Sequence, residues 1–97
     1  MKPVRFLSPA QIEMLDAAAY YETRVAELGS NFISTIETAV LGLSEDPEKW
    51  PVAGKDIRRV LLPRFPYSIL YKIDPTEIII VAIMHQKRRP NYWINRL

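Results

Sequence analysis

The sequence predicts an α+β domain in which a helical hairpin packs on a small, mostly antiparallel sheet, with the elements in the order β-α-α-β-β-β. Two observations carry this prediction: apolar residues recur at helical spacing before residue 44, and strand-like segments fill the chain after residue 55. A segment rich in proline and glycine separates the two halves. With 97 residues and no internal repeat, we expect a single domain over residues 1–97.

The first half of the chain begins with a short strand, PVRFL (residues 3–7), and continues with two amphipathic helices. Ser8 is a suitable N-cap for the first helix, with Pro9 at its first position, and Gly29 is a suitable C-terminal stop. The apolar stripes contain Met14, Ala18, Tyr21, Val25 and Leu28, then Phe32, Ile36, Val40 and Leu43. Because the second helix starts near Ser30, the two helices should form an antiparallel hairpin.

Three strands are predicted after a loop at residues 44–56, which contains two prolines and a glycine. They are DIRRVLLP (residues 56–63), YSILYKI (residues 67–73) and IIIVAIM (residues 78–84). The last is apolar throughout, so we expect it to be buried on both faces in the middle of the sheet. If the three strands form a meander, Arg64 and His85 lie toward the same end of the sheet.

The composition excludes several classes of site. There are no cysteines, so disulfides and thiolate metal sites are impossible, and a reducing cytoplasm is the expected location. One histidine and three scattered glycines leave no histidine-rich metal site and no glycine-rich phosphate loop. No apolar run approaches the roughly 20 residues of a membrane span, and the N-terminus lacks the apolar core of a secretory signal. We therefore expect no cofactor, no metal and no membrane partner.

Charge is distributed unevenly along the chain. Residues 1–54 contain four Lys or Arg and eight Asp or Glu, a balance of −4. Residues 55–97 contain nine Lys or Arg and three Asp or Glu, a balance of +6. This division indicates either an anionic partner for the second half or attraction between the two halves within the fold.

The candidate functional residues are the basic and aromatic groups of the second half. They are Arg58, Arg59, Arg64, His85, Lys87, Arg88 and Arg89, with Tyr67, Tyr92 and Trp93 as aromatic neighbours. Arginine offers a planar fork to phosphate or carboxylate, and an imidazole titrates in the range that acid–base chemistry requires. Structural alternatives stay open: His85 bonded to a backbone carbonyl, residues 87–89 as a solvated end, and Tyr67 in the core. Trp93 either packs back onto the sheet or contacts a partner.

Two segments, RFPYSILYKI (residues 64–73) and VAIMHQKRRPNYW (residues 81–93), resemble the RelE/ParE superfamily of toxins from bacterial type II toxin–antitoxin pairs. The resemblance covers nearly the whole chain and implies growth arrest by one of two routes. RelE-like toxins cleave mRNA in the ribosomal A site without a metal, whereas ParE-like toxins act on DNA gyrase and cleave nothing. RelE-like toxins often carry an arginine where this chain has Ser68, and the long hairpin is similar to that of ParE-like toxins. The ParE-like subgroup is therefore favoured.

The resemblance also implies roles for individual residues. In the RelE-like alternative the catalytic residues would be Arg64, His85, Arg88, Arg89 and Tyr92. The residues expected to contact a partner or an anion are Arg58, Arg59, Arg64, Lys87, Arg88, Arg89 and Trp93. Both subgroups imply a cognate antitoxin that wraps the toxin, with operator DNA bound only through the antitoxin. A third possibility is an inactive module that only holds an antitoxin.

Overall fold

The computed structural model describes residues 2–97 and has the predicted architecture, with two helices on one face of a single sheet. The helices are α1 (Ser8–Arg24) and α2 (Leu28–Glu45). The strands are β1 (Val4–Phe6), β2 (Val52–Gly54), β3 (Ile57–Leu61), β4 (Tyr67–Ile73) and β5 (Ile78–His85), and a 3-10 turn follows at Ile94–Arg96. The fold class is confirmed, with one strand more than predicted.

The sheet has the strand order β1-β5-β4-β3-β2. Strands β3, β4 and β5 form the predicted antiparallel meander, and β1 pairs in parallel with the outer side of β5. A bulge interrupts the β4–β5 ladder between Leu70 and Tyr71, which leaves Val81 without a partner in β4. Strand β5 is paired on both sides and most of its side chains are buried, as its continuous apolar sequence predicts.

The two faces of the sheet are covered by different parts of the chain. Helices α1 and α2 cover one face, and the core there includes Phe32, Ile36, Leu43, Ile69, Tyr71, Ile78, Ile80 and Ile83. The C-terminal segment (residues 90–97) covers part of the other face, where Trp93 packs in a cluster with Leu70, Val81, Ala82 and Met84. The sequence left open whether Trp93 packs onto the sheet or contacts a partner. Trp93 is only 4% exposed, so in the structure it packs onto the sheet.

The connection between the helices differs from the prediction. Helix α1 ends at Arg24 rather than at Gly29, and Glu27 adopts a left-handed backbone with a φ of 70°. The Glu22 carboxylate accepts hydrogen bonds from the N–H groups of Glu27 (2.8 Å) and Gly29 (3.0 Å), which satisfies free donors at the start of α2. Gly29 lies inside α2, where a Cβ atom would collide with the carbonyl oxygen of Ala18. The glycine permits the close approach of two helices instead of stopping the first.

Three smaller expectations are also wrong. Ser8 is already helical and Leu7 takes the N-cap position, with no side-chain hydrogen bond to cap the helix. Val25 does not belong to the buried stripe, because it lies just past the end of α1 and is 58% exposed. The segment 44–56 is not entirely a loop, since it contains β2, whose Val52 pairs with Arg58. A strand of three residues between a proline and a turn carries too little periodicity to be recognised in sequence.

Candidate functional site

Several of the predicted site residues, including Arg64 and His85, lie around the end of the sheet where β3 turns into β4 and β5 ends. Tyr67, the first residue of β4, pairs with His85, the last residue of β5. The Gln86 N–H donates to the Pro66 carbonyl oxygen at 2.9 Å, which joins the β3–β4 turn to the segment after β5. The turn that carries Arg64 and the end of β5 therefore adjoin each other, as the meander predicts.

A cleft of about 270 Å³ lies between α1 and this end of the sheet, and we call it the α1 cleft. It is lined by Glu13, Asp16, Ala17 and Tyr20 from α1, by Tyr67, Ile83 and His85 from the sheet, and by Arg88. The cleft thus brings together three residues singled out from the sequence: Tyr67, His85 and Arg88. It also contains two carboxylates that the sequence analysis did not place in a site.

His85 is half-buried and has a defined orientation. Its ring packs edge-on against Tyr67, with 4.9 Å between the ring centroids. Its Nδ1 accepts a hydrogen bond from the backbone N–H of Lys87 at 3.0 Å, so the contact is with a backbone donor and not with the carbonyl considered from the sequence. A neutral imidazole whose Nδ1 is an acceptor carries its proton on Nε2, and Nε2 is the nitrogen left to donate.

Glu13 accepts four hydrogen bonds and joins α1 to two distant parts of the chain. The donors are the Ile83 N–H (3.1 Å), the Tyr92 hydroxyl (2.7 Å) and the two terminal nitrogens of Arg96 (2.8 and 2.9 Å). Burial by itself raises the pKa of this carboxyl, but the hydrogen bonds outweigh burial and the pKa lies below its ordinary value. Glu13 is therefore a fixed carboxylate that holds the C-terminal segment against α1.

Tyr92 is held by three charged side chains. Its hydroxyl donates to Glu13, and the guanidinium carbons of Arg88 and Arg96 lie 3.9 and 5.0 Å from the centroid of its ring. Burial, followed by the hydrogen bond to Glu13 and the charge of that carboxylate, raises the pKa of Tyr92. The phenol stays protonated at neutral pH, and its proton is already donated to a neighbour.

Arg64 borders a different depression of the surface. A groove of about 350 Å³ runs beside α2 and is lined by Asn31, Ser34, Thr35, Thr38, Ala39, Pro63 and Arg64. Arg64 is exposed and has a left-handed backbone, with a φ of 67°, in the tight turn between β3 and β4. Arg64 and Arg88 thus share one end of the sheet but line separate hollows.

The remaining predicted residues are divided between strand β3, which carries Arg58 and Arg59, and the segment after β5. Arg58 donates to the carbonyl oxygens of Glu48 (3.1 Å) and Trp50 (2.7 Å), and so holds the loop before β2. The Arg59 Nε donates to the Ser68 hydroxyl at 3.0 Å, which gives this buried serine near the start of β4 a partner. Lys87 and Arg89 are exposed.

Sequence reasoning missed Glu13 and Arg96, whose ion pair joins residues 83 positions apart. Only the position of Glu13 on the flank of the α1 stripe gave a signal, and that signal did not name its partner. Within residues 2–97, no group of three or more His, Asp or Glu side chains is placed to hold a metal ion. In the same range, no helix combines the length and apolar character that crossing a membrane requires.

Comparison with known proteins identifies the class. A family model described as the ParE toxin of the type II toxin–antitoxin system parDE matches residues 4–90. Among solved structures, a chain of the chromosomal ParDE toxin–antitoxin system from P. aeruginosa has a TM-score of 0.78 at 19% sequence identity, covering 88% of this chain and 96% of that chain. No curated protein matches the chain in sequence.

The class is therefore that of toxins from type II toxin–antitoxin modules. The family match extends over most of the chain, and the chain belongs to the ParE toxin family. The superfamily prediction is confirmed, and so is the preference for the ParE-like subgroup over the RelE-like one.

Proposed function

We propose that this chain arrests growth in the cytoplasm by binding and inhibiting DNA gyrase, that it cleaves no nucleic acid, and that a cognate antitoxin neutralises it. One observation carries the proposal: Tyr92, the phenol that would take part in acid–base chemistry on a phosphodiester, is already engaged inside the fold. The Tyr92 hydroxyl is bonded to Glu13, and its ring is covered by Arg88 at 3.9 Å.

The electrostatics of the α1 cleft support a binding role over a nuclease role. Metal-free cleavage of RNA needs cations around the phosphate to stabilise the charge that develops in the transition state. Glu13 and Asp16 line the same cleft as His85 and Arg88, so two carboxylates would face the phosphate. Arg58 is bonded to backbone carbonyl oxygens elsewhere, and Arg64 borders another groove.

The exposed cations at this end of the sheet supply a binding surface, which we call the basic end: Arg64, Lys87, Arg88 and Arg89. All four are exposed, and they follow β3 and β5 at the end where those strands terminate together. A surface of this sign attracts an acidic patch of a large protein and steers its approach. In this proposal the basic end is the part of the toxin that contacts gyrase.

The test measures supercoiling of relaxed plasmid by purified gyrase in the presence of the purified chain. We expect stoichiometric inhibition, reversed by the antitoxin. The double variant Lys87→Glu/Arg89→Glu should inhibit at least about tenfold less well, because two of the four charges on the basic end change sign. Lys55→Glu, in the turn between β2 and β3, is the matched control and should inhibit normally. Unimpaired supercoiling at excess wild-type chain would contradict the proposal.

A second candidate function, ribosome-dependent mRNA cleavage, is favoured by one observation. His85 leaves Nε2 free to donate and shares the α1 cleft with Arg88 and Tyr67. Mapping mRNA 5′ ends within minutes of induction separates the two functions. New ends that disappear in His85→Ala would support cleavage, whereas intact mRNA together with DNA damage would support gyrase inhibition. Growth at the normal rate would indicate the inactive module.

A further inference from the structure

The four cations of the basic end are held to different degrees. All four are exposed, and within residues 2–97 none of them forms an ion pair with an Asp or Glu side chain. The Arg88 guanidinium carbon lies 3.9 Å from the centroid of the Tyr92 ring, whereas that of Arg64 lies 6.0 Å from the centroid of Phe65. Arg88 is therefore held more closely than Arg64, and its charge is still available to a partner.

The backbone of Arg88 is fixed by the last residue of β5. The Arg88 N–H donates to the His85 carbonyl oxygen at 3.0 Å, and the Lys87 N–H donates to Nδ1 of His85, also at 3.0 Å. The His85 ring packs edge-on against Tyr67, with 4.9 Å between the ring centroids. The turn that carries Arg88 is thus attached directly to the end of the sheet.

The aromatic ring beside Arg88 is itself held in place. The Tyr92 hydroxyl donates to Glu13 at 2.7 Å, and Glu13 is paired with Arg96 at 2.8 Å. Trp93, the next residue, is 4% exposed and packs on the sheet. A guanidinium that rests on a fixed ring keeps few alternative rotamers, so it loses less conformational entropy when it binds a partner.

The surroundings of Arg88 favour a carboxylate over a nucleic acid. A guanidinium offers two parallel N–H donors, which match the two oxygens of one carboxylate. Arg88 lines the α1 cleft together with Glu13 and Asp16, so a phosphodiester chain, which is charged at every nucleotide, would meet carboxylates there. Because Arg88 is exposed, a single carboxylate on a protein surface can pair with it from the solvent side.

We infer that Arg88 is the dominant contact of the basic end, that it pairs through two N–H groups with one carboxylate of the target, and that Tyr92 is the residue that positions it. A few residues carry most of the binding energy of an interface, and arginine is common among them. The other cations of the basic end mainly steer the approach of the partner. The inference rests on the proposed function in one respect, that the target is gyrase.

The first experiment compares variants in the gyrase supercoiling assay and in growth arrest after induction. Arg88→Ala should weaken inhibition at least about 30-fold, and Arg88→Lys at least about tenfold, because lysine keeps the charge but lacks the planar fork. Lys87→Ala should weaken it about threefold, since several charges share the long-range attraction. Arg5→Ala is the matched control: Arg5 is an exposed arginine held by Glu77 beside the start of β5, and its removal should leave inhibition unchanged. All four variants should melt close to the wild-type temperature, because the replaced side chains are exposed.

The second experiment asks whether Tyr92 acts through Arg88. Tyr92→Leu removes the ring and should weaken inhibition at least about tenfold, whereas Tyr92→Phe keeps the ring and should stay within about threefold of wild type. In an Arg88→Ala background, Tyr92→Leu should cause less than about a twofold further loss, because the guanidinium that the ring positions is already absent. A purely structural effect of Tyr92→Leu would instead multiply with the effect of Arg88→Ala.

Each outcome bears on one of the two proposals. An Arg88→Ala variant that inhibits gyrase as well as Lys87→Ala does, or losses that multiply in the double variant, would overturn the inference. A labelled DNA duplex that binds the wild-type chain but not Arg88→Ala would also overturn it, since Arg88 would then hold a phosphate. If the wild-type chain leaves gyrase active while growth arrest depends on Arg88 and Tyr92 in this pattern, the assigned contact stands and the proposed function fails. A wild-type chain that neither inhibits gyrase nor arrests growth would overturn both.

Discussion

The two outer strands of the sheet are equally short, but the fold treats the edges beyond them in opposite ways. Strands β1 and β2 have three residues each. Past the end of β1, the backbone of β5 is bonded to side chains: the Ile83 N–H donates to Glu13 at 3.1 Å, and Arg96 donates to the Val81 carbonyl oxygen at 3.0 Å. Past the end of β2, the polar groups of Leu61 face outward with an exposed apolar side chain beside them.

The edge beyond β1 contributes to the stability of the fold, whereas the edge beyond β2 is open to pairing with another strand. An edge whose backbone groups are bonded to side chains cannot accept another strand, whereas an open edge can. The closed edge also joins three elements, since Glu13 belongs to α1, Ile83 to β5 and Arg96 to the C-terminal segment. We therefore expect substitutions at the closed edge to lower the free energy of unfolding, and substitutions at the open edge to leave it nearly unchanged.

The largest effect is expected from Trp93→Ala, which removes the side chain that anchors the C-terminal segment to the sheet. Trp93 is 4% exposed, and truncating such a residue should lower the free energy of unfolding by about 4 kcal/mol in urea denaturation. Leu97→Ala, in the same segment but 54% exposed, is the control and should change it by less than about 0.5 kcal/mol. A loss below about 1 kcal/mol for Trp93→Ala would mean that the segment adds little to the fold.

Glu13→Ala should have the next largest effect, because it leaves the Arg96 guanidinium, the Tyr92 hydroxyl and the Ile83 N–H without their acceptor. We expect the free energy of unfolding to fall by about 3 kcal/mol, since the Glu13 and Arg96 side chains are only 16% and 18% exposed. Asp16→Ala, at an exposed position one turn further along α1, should be nearly neutral. Similar losses in the free energy of unfolding for the two variants would contradict the role of Glu13 in holding the C-terminal segment against α1.

A smaller effect is expected from pH. The pKa of Glu13 is lower in the folded chain than its ordinary value, so ionisation of this carboxyl stabilises the fold. That contribution is complete above the unfolded pKa of about 4.3 and is lost as the pH falls through the lower folded pKa. Urea denaturation between about pH 6 and pH 2 should therefore show a steeper loss of stability for wild type than for Glu13→Gln. Parallel curves would contradict this assignment. The Arg5 hydrogen bond also lowers the pKa of Glu77, but both proteins share that pair.

The sequence predicted the features that depend on residues close together in the chain and on the periodicity of apolar residues. The meander follows from short connections between three strand-like segments, and the meander alone places Arg64 and His85 at one end of the sheet. The sequence could not predict specific side-chain contacts, such as Glu13 with Arg96 or Arg58 with the carbonyl of Trp50. Packing of Trp93 on the second face was undecided for the same reason.

The end of α1 was predicted wrongly because a glycine at this point of the sequence is compatible with two different roles. A glycine after a helical stripe is more often a stop than a packing position, but Gly29 is placed where another helix passes too close for a Cβ atom. Glu27 takes the left-handed conformation instead, and its N–H is bonded to the side chain of Glu22. Neither arrangement is visible before the two helices are placed against each other.

Hydrogen exchange of two backbone amides in the free chain tests the contrast between the edges most directly. Ile83 N–H donates to Glu13 on the closed edge, so it should exchange as slowly as the amides of the central strands. Leu61 N–H faces the open edge and should exchange at least about 100-fold faster. Equal protection of the two amides in the free chain, or faster exchange at Ile83, would contradict the division of roles between the two edges.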